Sequence, residues 1–158
     1  MESSRSVKKP GNIWIVLTIV SLGILTGLGA FTFFYAKGHS YFIDNPKACA
    51  NCHIMRDQYD GWNRSSHHDV ATCNDCHTPH DLISKFATKA INGWNHSKAF
   101  TTGQFDEPIQ IHNFNMKIAH ENCIDCHGNL VSRMRTYATP EEVDCFFCHG
   151  NVGHNNRY

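Results

Sequence analysis

The sequence predicts a mainly α-helical chain with much irregular structure, in which one N-terminal membrane-spanning helix leads into a small domain. Three observations predict it. Residues Ile13 to Ala36 form a 24-residue run without a charged side chain. The rest of the chain shows no convincing period-2 alternation of apolar and polar residues. All 8 cysteines of the 158-residue chain fall in pairs, and each pair is followed at once by a histidine.

At helical rise the uncharged run spans about 36 Å, enough to cross a bilayer core with some tilt. Trp14 and Tyr35 stand near its ends, as interfacial anchors do. A cleaved signal peptide is the competing reading, but its apolar region usually runs about 7–15 residues, and Leu28-Gly29-Ala30 is a weak small-residue site. A retained anchor is therefore expected. Arg5, Lys8 and Lys9 precede the run, so the positive-inside bias keeps residues 1–12 cytoplasmic, 13–36 in the inner membrane and 37–158 in the periplasm. Gly23 and Gly27 form a small-xxx-small pair of the kind that packs helices together, which makes self-association an expectation.

Beyond the anchor about 120 residues remain, room for one small domain that buries little core unaided. Pro46, Pro79, Pro108 and Pro140, with many Asn and Gly, break this part into short helices and loops. One stretch is more regular. Leu82, Phe86, Ala87, Ala90 and Ile91 recur at near-helical spacing, which predicts an amphipathic helix from about Asp81 to Gly93, capped by Asp81 and carrying Lys85 and Lys89. The 14 basic and 14 acidic residues balance, so no strong field points to nucleic acid or an acidic substrate.

The cysteine pairs are Cys49/Cys52/His53, Cys73/Cys76/His77, Cys123/Cys126/His127 and Cys145/Cys148/His149. A disulfide staple would not need this spacing, and zinc would not demand a histidine directly after every second cysteine. Covalent haem does. Two thiols at this spacing add to the two vinyl groups of one macrocycle, and the next side chain reaches the iron. Four such motifs predict four haems c, with the motif starts grouped as two di-haem halves. About 30 residues per haem leave porphyrin surface to supply most of the core, and macrocycles so crowded form an electron route. His53, His77, His127 and His149 are the proximal candidates. Second axial ligands come from among His39, His67, His68, His80, His96, His112, His120 and His154, and spacing alone does not choose between them; for the first iron, spacing alone favours His53 and leaves Met55 as packing.

The chain resembles the NapC/NirT family of membrane-anchored multihaem quinol dehydrogenases, from the anchor to the final histidine. The likeness is carried by Asp44-Asn45-Pro46-Lys47-Ala48-Cys49, Cys52-His53-Ile54-Met55, Trp62 with Ser65-Ser66-His67, Gly93-Trp94-Asn95-His96-Ser97, Glu121-Asn122-Cys123 and Val152-Gly153-His154. It is strongest to the family's small subunits that serve nitrite reductases. It implies that Met55, rather than His53, holds the first iron. It further implies His127 with His154 on the third iron and His149 with His67 on the fourth, with His68 as an alternative to His67. The second haem, on His77, would then take its sixth ligand from a partner.

The resemblance implies menaquinol as the electron donor at the first haem. It implies the pentahaem catalytic subunit of an ammonia-forming cytochrome c nitrite reductase as the acceptor. Quinol oxidation releases protons, so the site needs a group to take them, and the matching positions are Lys89 and His96. His96 stands where some relatives carry Asp. The bland alternatives are a solvated helix face for Lys89 and a satisfied loop histidine for His96. Two other functions fit the motifs: a quinol dehydrogenase serving nitrate or other reductases, and a membrane-anchored relay without a quinol site. Nitrite reduction itself needs an open iron in a substrate cavity, and is expected in the catalytic subunit rather than in this chain.

Overall fold

The computed structural model describes residues 11–137 and 144–154, so Arg5, Lys8, Lys9 and Pro140 lie outside the described residues. The chain divides into two compact units between His39 and Ser40.

The first unit is built on α1, Gly11–Tyr35, a 25-residue helix with an 18-residue stretch of mean hydropathy 2.2. It begins two residues before the uncharged run and ends one residue before Ala36. It is apolar on every face, none of its side chains is buried against protein, and it is long enough to cross a membrane. Its end is set by the backbone. Lys37 takes a left-handed conformation (φ 53°). Gly38 then passes so close to the Phe33 ring that a Cβ there would stand 2.6 Å from it.

The second unit is helical and irregular, as the sequence predicts, and among its described residues no strand occurs. A 3₁₀ turn, Gly38–Phe42, leads into α2 (Pro46–Cys49), a second 3₁₀ turn (His53–Met55), α3 (Arg56–Asn63), α4 (Cys73–His77), α5 (Leu82–Thr102), α6 (Asn113–Tyr137) and α7 (Cys145–His149). Local chemistry explains the starts. Asn45 caps α2 by accepting from Lys47 N at 2.9 Å, with Pro46 in the first turn where its missing N–H costs nothing. Thr72 and Asp75 form a reciprocal capping box on α4. Asp81 accepts from Ser84 N at 2.9 Å to start α5, and Asp144 accepts from Phe146 N at 2.8 Å to start α7.

Two helices run further than their sequence signals indicate. α5 continues past Gly93 and stops at Gly103, whose φ of 67° is the left-handed cap that glycine favours. An interior glycine weakens a helix by only about 1 kcal/mol, which tertiary packing overrides. α6 runs 25 residues straight through the third cysteine motif. The chain therefore does not separate into two di-haem halves: α2 packs on α4, α4 most extensively on α6, and α6 on α7. The four motifs stand in one series.

The α4–α6 junction is polar. Asn122, buried on α6, donates from Nδ2 to Cys76 O (3.0 Å) and Thr78 O (2.9 Å), the carbonyls left over at the end of α4. Asn92 and Asn115 exchange side-chain amide bonds of 3.1 and 3.0 Å between α5 and α6. Among the described residues the buried apolar side chains are Ile118 and Ala119, while Ile83, Trp94, Phe100, Leu130 and Phe147 stay exposed. Burial on that scale is far below what a unit of this length needs from side chains alone.

Candidate functional site

All eight motif cysteines are free of disulfides. Three of the pairs lie on α4, α6 and α7, and the first spans the end of α2 and the turn after it. The thiols of those three pairs are thus one helical turn apart, the reach that one macrocycle edge requires. The pairs are not evenly enclosed. Cys49, Cys73, Cys76, Cys123 and Cys145 are half-buried, whereas Cys52, Cys126 and Cys148 are exposed. Cys126 and Cys148, expected from the sequence as haem-attachment residues, are therefore surface thiols and not enclosed ones. A residue three positions on is turned by about 60°, and Cys126 on α6 and Cys148 on α7 are exposed on that side, whereas Cys76, with the same offset on α4, is partly covered. Neither joins other His, Cys, Asp or Glu side chains in a metal-holding group among the described residues. Thioether formation requires no such group, only a thiol open to a vinyl carbon, and outward-facing Cys52, Cys126 and Cys148 meet that condition.

The histidines show which residues can share an iron. His77 on α4 faces His154 with ring centroids 6.0 Å apart and planes within 7°. His67 faces His127 at 6.1 Å with planes at 81°. Two metal–imidazole bonds of about 2 Å, plus the half-width of each ring, add to about 6 Å, so both pairs are spaced to hold an iron between them. The residues fit the group.

This pairing differs from the one the resemblance implies. His154 stands with His77 instead of His127, and His67 stands with His127 instead of His149. The reason lies in packing. α4 sits against α6, and the chain end is held to the loop before α4: His67 Nδ1 donates to Val152 O at 3.2 Å, which places His154 two residues further on. That bond also puts the proton on Nδ1, leaving the Nε2 lone pair of His67 for a metal. Burial first, and His154 second, hold His77 down to about 4, so its ring is neutral at any working pH, the form that binds iron.

The structure separates His67 from His68. Trp62 Nε1 donates to Ala71 O at 2.9 Å and Ser65 Oγ accepts from His67 N at 3.2 Å, so the loop that carries both histidines is tied at each end. His68 packs on the Trp62 ring at 4.7 Å and bonds Asp69 at 2.9 Å. His80 bonds Asp75 O at 3.1 Å, and His120 lies against Phe146. His149 is exposed at the end of α7. At the first motif Met55 is half-buried, while His53 is exposed and lines a cleft of about 310 Å³ with Asp57, Gln58 and the Glu107-Pro108-Ile109 segment.

Beside the first motif lies a charged cluster. Asp44 accepts from Lys85 Nζ (2.6 Å), Lys89 Nζ (2.8 Å) and Asn74 Nδ2 (2.8 Å), and Lys89 also donates to Ile43 O at 3.4 Å. Those lysine bonds hold the Asp44 carboxyl below the usual carboxylate range. Lys89 is buried, so it is no solvated surface lysine. His96 lies two turns further along the same face of α5 and meets Tyr41: Oη and Nδ1 are 3.0 Å apart. Partial burial, then His112, hold the His96 imidazole below its ordinary range. Lys89 and Asp44 are close enough to the Cys49 sulfur to act on it, and Tyr41 is similarly close to the sulfurs of Cys52 and Cys49. The structure thus gathers Lys89 and His96 near one motif, the first. Tyr41 was not singled out from sequence, Asp44 entered only as part of the run leading into Cys49, and His112 only as one of the candidate axial histidines.

A helical domain that presents C-x-x-C-H segments and holds imidazole pairs at iron-spanning distances is a c-type cytochrome, a class that binds haem covalently. The chain matches the NapC/NirT cytochrome c family, N-terminal region, over residues 9–158, and it belongs to that family. It is 37% identical to the cytochrome c-type protein NrfH of Wolinella succinogenes over 148 residues, 87% of this chain and 84% of that one. It is 29% identical to the cytochrome c nitrite reductase subunit NrfH of Nitratidesulfovibrio vulgaris, over 98% of this chain and 91% of that one. Among solved structures it is similar to a chain in the crystal structure of a cytochrome c nitrite reductase NrfHA complex bound to the HQNO inhibitor, with a TM-score of 0.58, 29% identity and coverage of 87% and 88%.

Proposed function

We propose that this chain is a membrane-anchored quinol dehydrogenase subunit. In this reading it takes electrons from menaquinol and passes them through four covalently bound haems c to the pentahaem catalytic subunit of a periplasmic, ammonia-forming cytochrome c nitrite reductase. The observation that carries the reading is the cluster of Asp44, Lys89, Tyr41 and His96 beside the first cysteine motif. A buried cation and a proton acceptor near the first motif support entry of electrons from a quinol there. The relatives named as nitrite reductase subunits support the acceptor.

Haem attachment falls to Cys49/Cys52, Cys73/Cys76, Cys123/Cys126 and Cys145/Cys148. For the irons, Met55 serves the first, His77 with His154 the second, His127 with His67 the third, and His149 the fourth. Because His67 and His154 serve other irons in this assignment, the sixth ligand expected from the reductase moves from the second haem to the fourth. Bound there, haem supplies one-electron chemistry; the chain's residues orient it, exclude water and handle protons. α1 serves as the single-pass anchor in the cytoplasmic membrane, with residues 37–158 in the periplasm.

Two experiments test the reading. Purified protein should be reduced by a reduced naphthoquinone, and it should co-purify from membranes with a pentahaem reductase. Reduction by dithionite alone would make it a relay without a quinol site. Capture of a nitrate reductase instead would change the acceptor.

A further inference from the structure

The Tyr41 hydroxyl meets His96 and lies within electrostatic reach of the first-motif cysteines. The 3₁₀ turn that ends at Phe42 carries Tyr41 to α5, where its ring packs on Gly93, 3.5 Å from where a Cβ would stand. Three residues along the same helix, His96 Nδ1 lies 3.0 Å from Tyr41 Oη, with the rings 6.3 Å apart and tilted by 42°.

We propose that Tyr41 relays the proton released by the bound quinol to His96, with His112 favouring its departure to water. The proposal rests on the quinol-oxidising reading above and adds the path the proton takes. Each electron that the quinol gives to the ferric c-type haem of the first motif is matched by one proton. The quinol O–H bond breaks, its proton bonds to Tyr41 Oη, and the phenol's own proton moves to His96 Nδ1. Tyr41 ends as it began and His96 becomes an imidazolium.

The groups around the pair suit these roles. Burial pushes the Tyr41 phenol up to about 12, and the Cys52 and Cys49 sulfurs add to this only as thiolates. As haem thioethers they carry no charge, and burial still keeps the phenol a hydroxyl. His96 is held neutral by partial burial and by His112, which disfavours a second positive charge nearby. Of the other titratable groups on the packed elements, Lys85 and Lys89 are bonded to Asp44 rather than to His96, Lys98 is exposed on α5, and His39 lies on the 3₁₀ turn two residues before Tyr41.

The test uses the full haem-loaded chain in detergent, with a reduced naphthoquinone as donor. The wild-type rate should fall as pH drops through the His96 value, below the ordinary imidazole range. Tyr41→Phe keeps the ring on Gly93 and removes the hydroxyl. It should slow quinol-driven haem reduction by roughly tenfold or more and abolish the acid limb, with haem content and dithionite reduction unchanged. Gly93→Leu, which displaces the Tyr41 ring while leaving both the phenol and the His96 imidazole in the chain, should act alike. The Tyr41→Phe/His96→Gln double variant should be no slower than His96→Gln, as expected of two groups on one path. If His96→Gln is slow while Tyr41→Phe stays within twofold of wild type with its acid limb intact, the relay is overturned and the quinol site stands. If His96→Gln and Lys89→Ala both reduce at the wild-type rate, the quinol site itself fails, and the relay with it.

Discussion

Replacing Asp44 by Asn removes one charge with little change of shape, and the structure sets the size of the effect. The carboxylate accepts from Lys85 at 2.6 Å and Lys89 at 2.8 Å; the Lys89 side chain is 8% exposed and that of Asp44 55%. A hydrogen bond involving charged groups contributes about 1.5–3 kcal/mol, and solvent at Asp44 limits the share of the less buried Lys85 to under about 1 kcal/mol. The Asn oxygen still accepts one bond, so Asp44→Asn should cost about 2 kcal/mol, or about 8 °C in midpoint for a unit of this length. The pH dependence follows from the depressed Asp44 carboxyl. Its contribution is fully present above the unfolded value near pH 4 and is lost as pH falls through the lower folded value. The gap between wild type and variant should therefore be full at pH 7 and narrow below about pH 4. Thermal unfolding of the haem-loaded protein in detergent, followed at the Soret band from pH 7 to pH 3, measures it. Equal midpoints at pH 7, or a gap that widens on acidification, would refute the argument.

Three further outcomes are expected. His77→Ala and His154→Ala should each convert the same low-spin haem to high spin by paramagnetic resonance, and the double variant should convert no second one; loss of two different signals would break the pairing. Asn122→Ala leaves the Cys76 and Thr78 carbonyls without their buried donor and should destabilise the unit by about 2–3 kcal/mol, which unfolding at pH 7 measures against an expected near-neutral result for exposed Asn63→Ala. The protein should remain in membranes washed with alkaline carbonate, and its domain should be cut by protease added from the periplasmic side; release by the wash would rule out a retained anchor.

Much of this was legible locally. Helix capping by Asp81 depends on a side chain and a backbone N–H a few residues away, and the C-x-x-C-H spacing is set by the reach of one macrocycle edge. The run of uncharged residues showed α1 for the same reason. The extent of α5 and α6 was less legible, because Gly93 and the cysteine motif of α6 are poor local signals that packing outweighs. Nor did spacing show that Cys126 and Cys148 face outward while Cys76 is half-buried, since that depends on which side of each turn a neighbouring helix covers.

From Cys49 to His149 the sequence by itself marked the four C-x-x-C-H segments proposed to attach haem, since their spacing needs no other part of the chain. Which histidines stand together was decided only in three dimensions. His77 meets His154 and His67 meets His127 because α4 lies on α6 and the Val152 carbonyl ties the chain end to the loop before α4. The same holds for Tyr41 with His96, 55 positions apart, and for Asp44 with Lys89, 45 apart. A periodic pattern records which face of one helix is buried. It carries no information on which other segment will lie against that face, because that depends on how all the helices share too little apolar surface.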